Sequence, residues 1–133
     1  ASLAALEILR VEPQRVTRLN RNAMRLRDGL AARGVDTGAS AGKSIVPVIA
    51  GSSIAAGRLA DALFRRHINV QPILYPAVPE RAARLRFFVS SEHDATQIDG
   101  AVAAVAAESA AIAGNRIDPA RLAQDVAAGK ARR

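Results

Sequence analysis

The residues best suited to chemistry are two arginines in the segment Arg84-Leu85-Arg86-Phe87-Phe88-Val89. Leu85, Phe87 and Val89 alternate, as a strand with one buried face requires, so Arg84, Arg86 and Phe88 share the opposite face. If the apolar set packs on a core, Arg86 points away from it. A guanidinium stays charged and offers two parallel N–H donors, which complement a carboxylate. On spacing alone, a solvated surface arginine is the plainer reading.

Other candidates carry less. His67 and His93 lie far apart with no pattern of nearby carboxylates, which is not metal-ligand spacing. His67 reads as a helix end, and His93, beside a helix cap, reads as a local structural residue. The segment Gly38-Ala39-Ser40-Ala41-Gly42-Lys43-Ser44 resembles a phosphate-binding loop only in part. Its glycines are too close together, and it leads into a strand, whereas such a loop must open a helix whose N–H groups meet the phosphate.

Composition narrows the classes further. A chain of 133 residues, 50% of them hydrophobic, fits one compact core. With no cysteine, disulfides and thiolate metal sites are excluded; this is compatible with a reducing cytoplasm, the compartment expected for the protein, without establishing it. The net charge of +7 comes from an arginine excess dispersed along the chain, with no basic run longer than a pair. The aromatic residues are Phe64, Tyr75, Phe87 and Phe88 alone, too few for the stacking platforms of single-strand binding, so no nucleic-acid partner is expected. No apolar stretch approaches a membrane span, and the opening residues form no signal peptide. The start in mid-pattern, without an initiator methionine, suggests a piece of a longer chain.

The elements that must position Arg86 follow from periodicity. Residues 2–11 suggest a short helix, and Pro13 suits the first turn of a second one. Val16, Leu19, Ala23, Leu26 and Leu30 form its apolar stripe, and Gly34 is its stop. Residues 45–50 read as a strand in which Pro47 argues for an edge position or a bulge. Ser52 or Ser53 caps a helix to about Arg66, with Ala56, Leu59, Ala60 and Leu63 on one face. A short strand is expected over 68–71 and a proline-stiffened loop over 74–81, before the strand carrying Arg86. Asp94 and Gln97 form a capping-box pattern ahead of a helix whose Ile98, Val102, Val105 and Ile112 share a stripe. Asp118-Pro119 opens a last short helix before a basic end. The expected class is α+β, a small mixed or antiparallel sheet of three to four strands with helices packed on one face.

Taken together, the run Asn69-Val70-Gln71-Pro72-Ile73-Leu74-Tyr75-Pro76-Ala77-Val78-Pro79, then Ala83-Arg84-Leu85-Arg86-Phe87, then Ser91-Glu92-His93, is similar to the α-oxoamine synthases. Val46-Pro47-Val48-Ile49 and the helix-to-strand join before Val70 match as well, so the resemblance covers roughly residues 1–113. The family includes 8-amino-7-oxononanoate synthase, 5-aminolevulinate synthase, glycine acetyltransferase and serine palmitoyltransferase. The resemblance implies the carboxy-terminal small domain of a fold-type-I enzyme dependent on pyridoxal phosphate. It divides the chain into helical linker and first helices (1–33), α+β small domain (34–113) and C-terminal extension (114–133). It implies an activity like that of 8-amino-7-oxononanoate synthase, joining an amino acid to an acyl-CoA or acyl-carrier-protein thioester with loss of carbon dioxide, in a homodimer.

By the same resemblance Arg86 binds the amino-acid carboxylate, Arg84 is structural, and Tyr75, Ala77 and Val78 belong to a loop that shapes the acyl pocket. Many relatives carry threonine where Ala77 stands, and often glycine where His67 stands. The family's cofactor lysine lies in its large domain, and neither Lys43 nor Lys130 matches that motif. The chain alone is therefore expected to hold no pyridoxal phosphate, no catalytic residue and no metal, and to be inactive. The alternatives are an aminotransferase of the same fold and, resting on charge alone, a basic nucleic-acid-binding module.

Overall fold

A computed structural model describes residues 2–114; the expected extension, with Asp118-Pro119 and Lys130, lies outside them. Helix α1 (Ser2–Val11) buries none of its residues. After Glu12-Pro13 comes α2 (Gln14–Ala31), which buries Asn22, Ala23, Leu26 and Leu30. Leu19 is half-buried and Val16 exposed, so the expected stripe reaches the core only from its second position onward.

Both Gly34 and His67 end helices in the same way. Val35 N–H reaches back to Leu30 O at 3.1 Å while Gly34 N–H meets Ala31 O at 3.0 Å. At the end of α3 (Ser53–Phe64), Ile68 N–H meets Leu63 O at 3.0 Å and His67 N–H meets Phe64 O at 2.9 Å. The turn needs a left-handed residue, and Gly34 (φ 72°) and His67 (φ 62°) supply it. Ser52 caps α3 through its hydroxyl, which accepts from Ala55 N–H at 3.1 Å. Asp94 and Gln97 exchange side-chain bonds with each other's N–H at 3.0 and 2.8 Å, the expected capping box, opening α4 (Ala95–Gly114).

Three strands form one antiparallel sheet in the order β1-β3-β2: β1 (Ile45–Ile49), β2 (Gln71–Ile73) and β3 (Arg84–Phe88). A three-residue 3₁₀ turn (Glu80–Ala82) leads into β3. Pro47 lies on an edge strand, as its missing donor requires. Ile49, two residues on, sends its N–H outward to Asp36 O at 2.8 Å, so the proline nitrogen also faces away from β3. The short strand expected over 68–71 forms three residues later. Ile68 is still occupied in closing α3, and only Gln71 onward runs alongside β3.

Val46, Val48, Ala83, Leu85, Phe87 and Val89 are buried, and with Ala56, Leu59 and Leu63 of α3, Ala23, Leu26 and Leu30 of α2, and Ile98, Val102 and Val105 of α4 they make a single core. All three helices therefore cover one face of the sheet. Gly29 lets α2 and α4 approach closely, since a Cβ there would meet Val102 Cγ2 at 3.1 Å. The other face of the sheet is left without a covering element among the described residues.

Candidate functional site

The uncovered face is where Arg86 stands. Its row across the sheet runs Pro47, Arg86, Gln71; the next runs Ile49, Arg84, Ile73; and Phe88 sits opposite Ile45. Burial along β3 alternates from half-buried Arg84 through buried Leu85, exposed Arg86 and buried Phe87 to exposed Phe88. The two arginines differ in what they hold. Arg84 Nε donates to Ala82 O at 2.9 Å and so braces the turn into its own strand. Arg86 takes part in none of the ion pairs or side-chain hydrogen bonds among the described residues, and its donors are free for an outside acceptor.

A cleft of about 720 Å³ opens beside Arg86, lined also by Asn69, Gln71, Phe88, His93 and Gln97. Its origin is the shortness of β2. Pairing stops at Gln71 opposite Arg86, so the Phe88 end of β3 has no neighbour on that side. The loop 74–79 leaves β2 at the opposite end, next to Ile73 and Arg84. Tyr75 and Ala77 are exposed, Val78 is half-buried, and none of the three lines the cleft that Arg86 lines. A second groove, of about 950 Å³ and lined by Arg33, Ser52, Arg58 and Ile112 among others, contains none of the site residues expected from the sequence.

Two histidines border the first cleft. His93 is occupied locally: its Nδ1 accepts Ser90 N–H at 3.1 Å, in the turn between β3 and α4. That turn is pinned from below by Asn22, which the sequence reading passed over. Its side-chain amide donates to Ser90 O at 3.0 Å and to His93 O at 2.7 Å from a position only 7% exposed. The available signal was a polar residue standing on the apolar stripe of α2, one step from Ala23.

The second missed cluster is Ser53 with Glu80. Glu80 accepts Ser53 N–H at 2.7 Å and the Ser53 hydroxyl at 2.5 Å, and Ser53 Oγ accepts Tyr75 N–H at 3.2 Å. The hydrogen bond from the Ser53 hydroxyl, aided by that from its N–H, holds the Glu80 carboxyl below the usual glutamate range. Arg25 and Asp99 join α2 to α4 through two parallel bonds of 2.7 and 2.6 Å, and this hydrogen bonding lowers the Asp99 carboxyl below its ordinary value.

Comparison with known proteins gives a consistent set. Residues 2–105 match the family described as aminotransferase class I and II. The 8-amino-7-oxononanoate synthase of Anaeromyxobacter sp. (strain K) is 43% identical over 107 residues, 80% of this chain and 27% of the relative. Among solved structures, serine palmitoyltransferase from S. paucimobilis aligns with TM-score 0.67 at 28% identity, covering 73% of this chain and 25% of the other. The 8-amino-7-oxononanoate synthase from Francisella tularensis aligns with TM-score 0.60 at 26% identity, covering 69% and 26%. The chain spans about a quarter of the length of the relatives it matches.

Proposed function

We propose, on the premise that this chain belongs to the aminotransferase class I and II family, that it is the small domain of an α-oxoamine synthase. The complete protein would condense an amino acid with an acyl thioester, releasing carbon dioxide and the free thiol, as an 8-amino-7-oxononanoate synthase does. The same reading carries a homodimer, a cytoplasmic setting and an acyl-CoA or acyl-carrier-protein donor. No helix among the described residues is long and apolar enough to cross a membrane.

One observation carries the proposal: an arginine without a side-chain partner among the described residues stands on the sheet face that those residues leave bare, while they pack the other face. Burying that guanidinium against a second surface without an acceptor would be costly, so the position suits a site where an anion arrives. In the proposed enzyme Arg86 grips the substrate carboxylate and fixes the direction of the bond to be broken, a positioning effect. Arg84, tied to Ala82 O, keeps the strand entry in place.

Pyridoxal phosphate supplies the electron sink in this family. The described residues do not fit it. The described lysine, Lys43, is exposed ahead of β1 and lines neither groove, so the coenzyme would be held by polypeptide outside these residues.

The test is Arg86→Ala and Arg86→Lys in the complete protein. Charged hydrogen bonds contribute roughly 1.5–3 kcal/mol, so kcat/KM for the amino acid should fall by about ten- to a hundredfold in Arg86→Ala. Lysine, a point charge without the fork, should recover only part of the loss. Unchanged amino-acid kinetics in Arg86→Ala would falsify the carboxylate contact. Amino-group transfer without carbon dioxide release would instead make the protein an aminotransferase of the same fold.

A further inference from the structure

The loop 74–79 has little of its own to hold it. Within it, Val78 N–H meets Leu74 O at 3.3 Å, and Pro79 O accepts from Ala82 N–H at 2.8 Å in the turn that follows. Its two ends are instead fastened to one residue at the start of α3. Tyr75 N–H donates to Ser53 Oγ at 3.2 Å, and Glu80 takes both donors of Ser53, the backbone N–H at 2.7 Å and the hydroxyl at 2.5 Å.

Proton logic makes this a single unit. A serine hydroxyl has one hydrogen and two lone pairs. An ionised Glu80 accepts that hydrogen, which turns a lone pair of Oγ towards the N–H of Tyr75. A carboxylate beside the first N–H groups of a helix is also favoured by the helix dipole. The lowered Glu80 carboxyl agrees with an ionised, doubly bonded state. Helix formation does not require this arrangement, because Ser52 already provides the N-cap of α3 through Ala55 N–H. Ser53 and Glu80 therefore add one bond to the helix start and, through the Ser53 hydroxyl, also hold the loop.

We infer that Ser53 and Glu80 are positioning residues that clasp the loop 74–79 and thereby set how the acyl chain is accepted by Tyr75, Ala77 and Val78. The inference rests on the reading of the protein as an α-oxoamine synthase for its acyl part only; the clasp itself is a property of the chain. Neither residue touches the reacting atoms. Their effect should appear in the acyl substrate's KM and chain-length preference and not in the handling of the amino acid.

The experiment uses Ser53→Ala, Ser53→Thr and Glu80→Gln in the complete protein. Amide hydrogen exchange at Tyr75 is measured beside KM for a series of acyl-CoA chain lengths and KM for the amino acid. Ser53→Ala should speed Tyr75 exchange by roughly tenfold and raise the acyl KM by about three- to tenfold, the range of one or two lost hydrogen bonds. It should also flatten the chain-length preference and leave the amino-acid KM alone. Ser53→Thr, which keeps the hydroxyl, should restore both, and Glu80→Gln should fall between. Unchanged Tyr75 exchange in Ser53→Ala overturns the clasp. Faster exchange with unchanged acyl KM and preference overturns its role in acyl acceptance. A wild-type protein that consumes no acyl thioester overturns the enzyme reading and with it the acyl role, whereas the exchange measurement still decides the clasp.

Discussion

Two carboxylates, Glu80 and Asp99, lie below their ordinary values because each accepts hydrogen bonds in the folded chain, Glu80 from Ser53 and Asp99 from Arg25, with Arg33 adding a weaker attraction. Such groups stabilise the fold above their unfolded pKa, and the contribution is lost as pH falls through the folded value. Both are solvent-exposed, so each effect is modest and screened by salt. Acid unfolding followed by circular dichroism should show stability falling below about pH 4–5, the range set by unperturbed carboxylates. Glu80→Gln and Asp99→Asn should each flatten that acid limb and converge with wild type at its lower end. Curves for the variants that stay parallel to wild type across the limb would remove the linkage. Arg86 belongs to the same scale but behaves differently. With no side-chain partner among the described residues, it adds little to their folding, and its value lies in what it meets from outside them.

At the scale of elements, most boundaries are set by residues within four positions of one another. The capping box at Asp94, the cap at Ser52 and the stops at Gly34 and His67 were all readable because each is a short-range rule. His67 is the imperfect case, since a side chain in the left-handed region costs about 1 kcal/mol relative to glycine. His67→Gly should raise stability by up to about 1 kcal/mol in chemical denaturation, and Gly34→Ala should lower it by a similar amount. Beyond its chain neighbours, no described residue comes within 4 Å of where a Gly34 Cβ would stand, so that second effect is conformational and not a clash. A destabilised His67→Gly would mean that the imidazole, which lines the Arg86 cleft, makes a contact worth more than the strain.

Among the described residues the sheet is packed on one side only. Leu85 is fully buried while its strand neighbour Phe88 is 59% exposed, although both are large and apolar. Leu85→Ala should cost about 2–5 kcal/mol by transfer and cavity terms. Phe88→Ser in the same 133-residue chain should cost well under half as much, because much of the ring is already in water. Equal losses in urea denaturation would mean that the second face is covered in solution. The bare face holds Ile45, Arg86 and Phe88 together, an apolar surround for one charge. In the proposed enzyme that setting would strengthen the grip on a carboxylate once water is displaced.

The sequence by itself determined the helices, the capping box at Asp94 and the alternation that turns Arg86 away from the core, and it narrowed Pro47 to an edge or a bulge and the α3 cap to Ser52 or Ser53. These depend on side-chain period and on neighbours three or four residues apart, which a linear reading contains. Tertiary structure alone decided where β2 begins, because pairing with β3 selects Gln71 and the closure of α3 claims Ile68. It decided that Val16 stays in water and that Asn22 is buried to hold a turn 68 residues away. It also placed the Arg86 cleft at one end of β3 and the loop 74–79 at the other, and drew Ser53 and Glu80 together across 27 positions. Contacts over such separations follow from how the layers stack, and no local pattern of side chains encodes them.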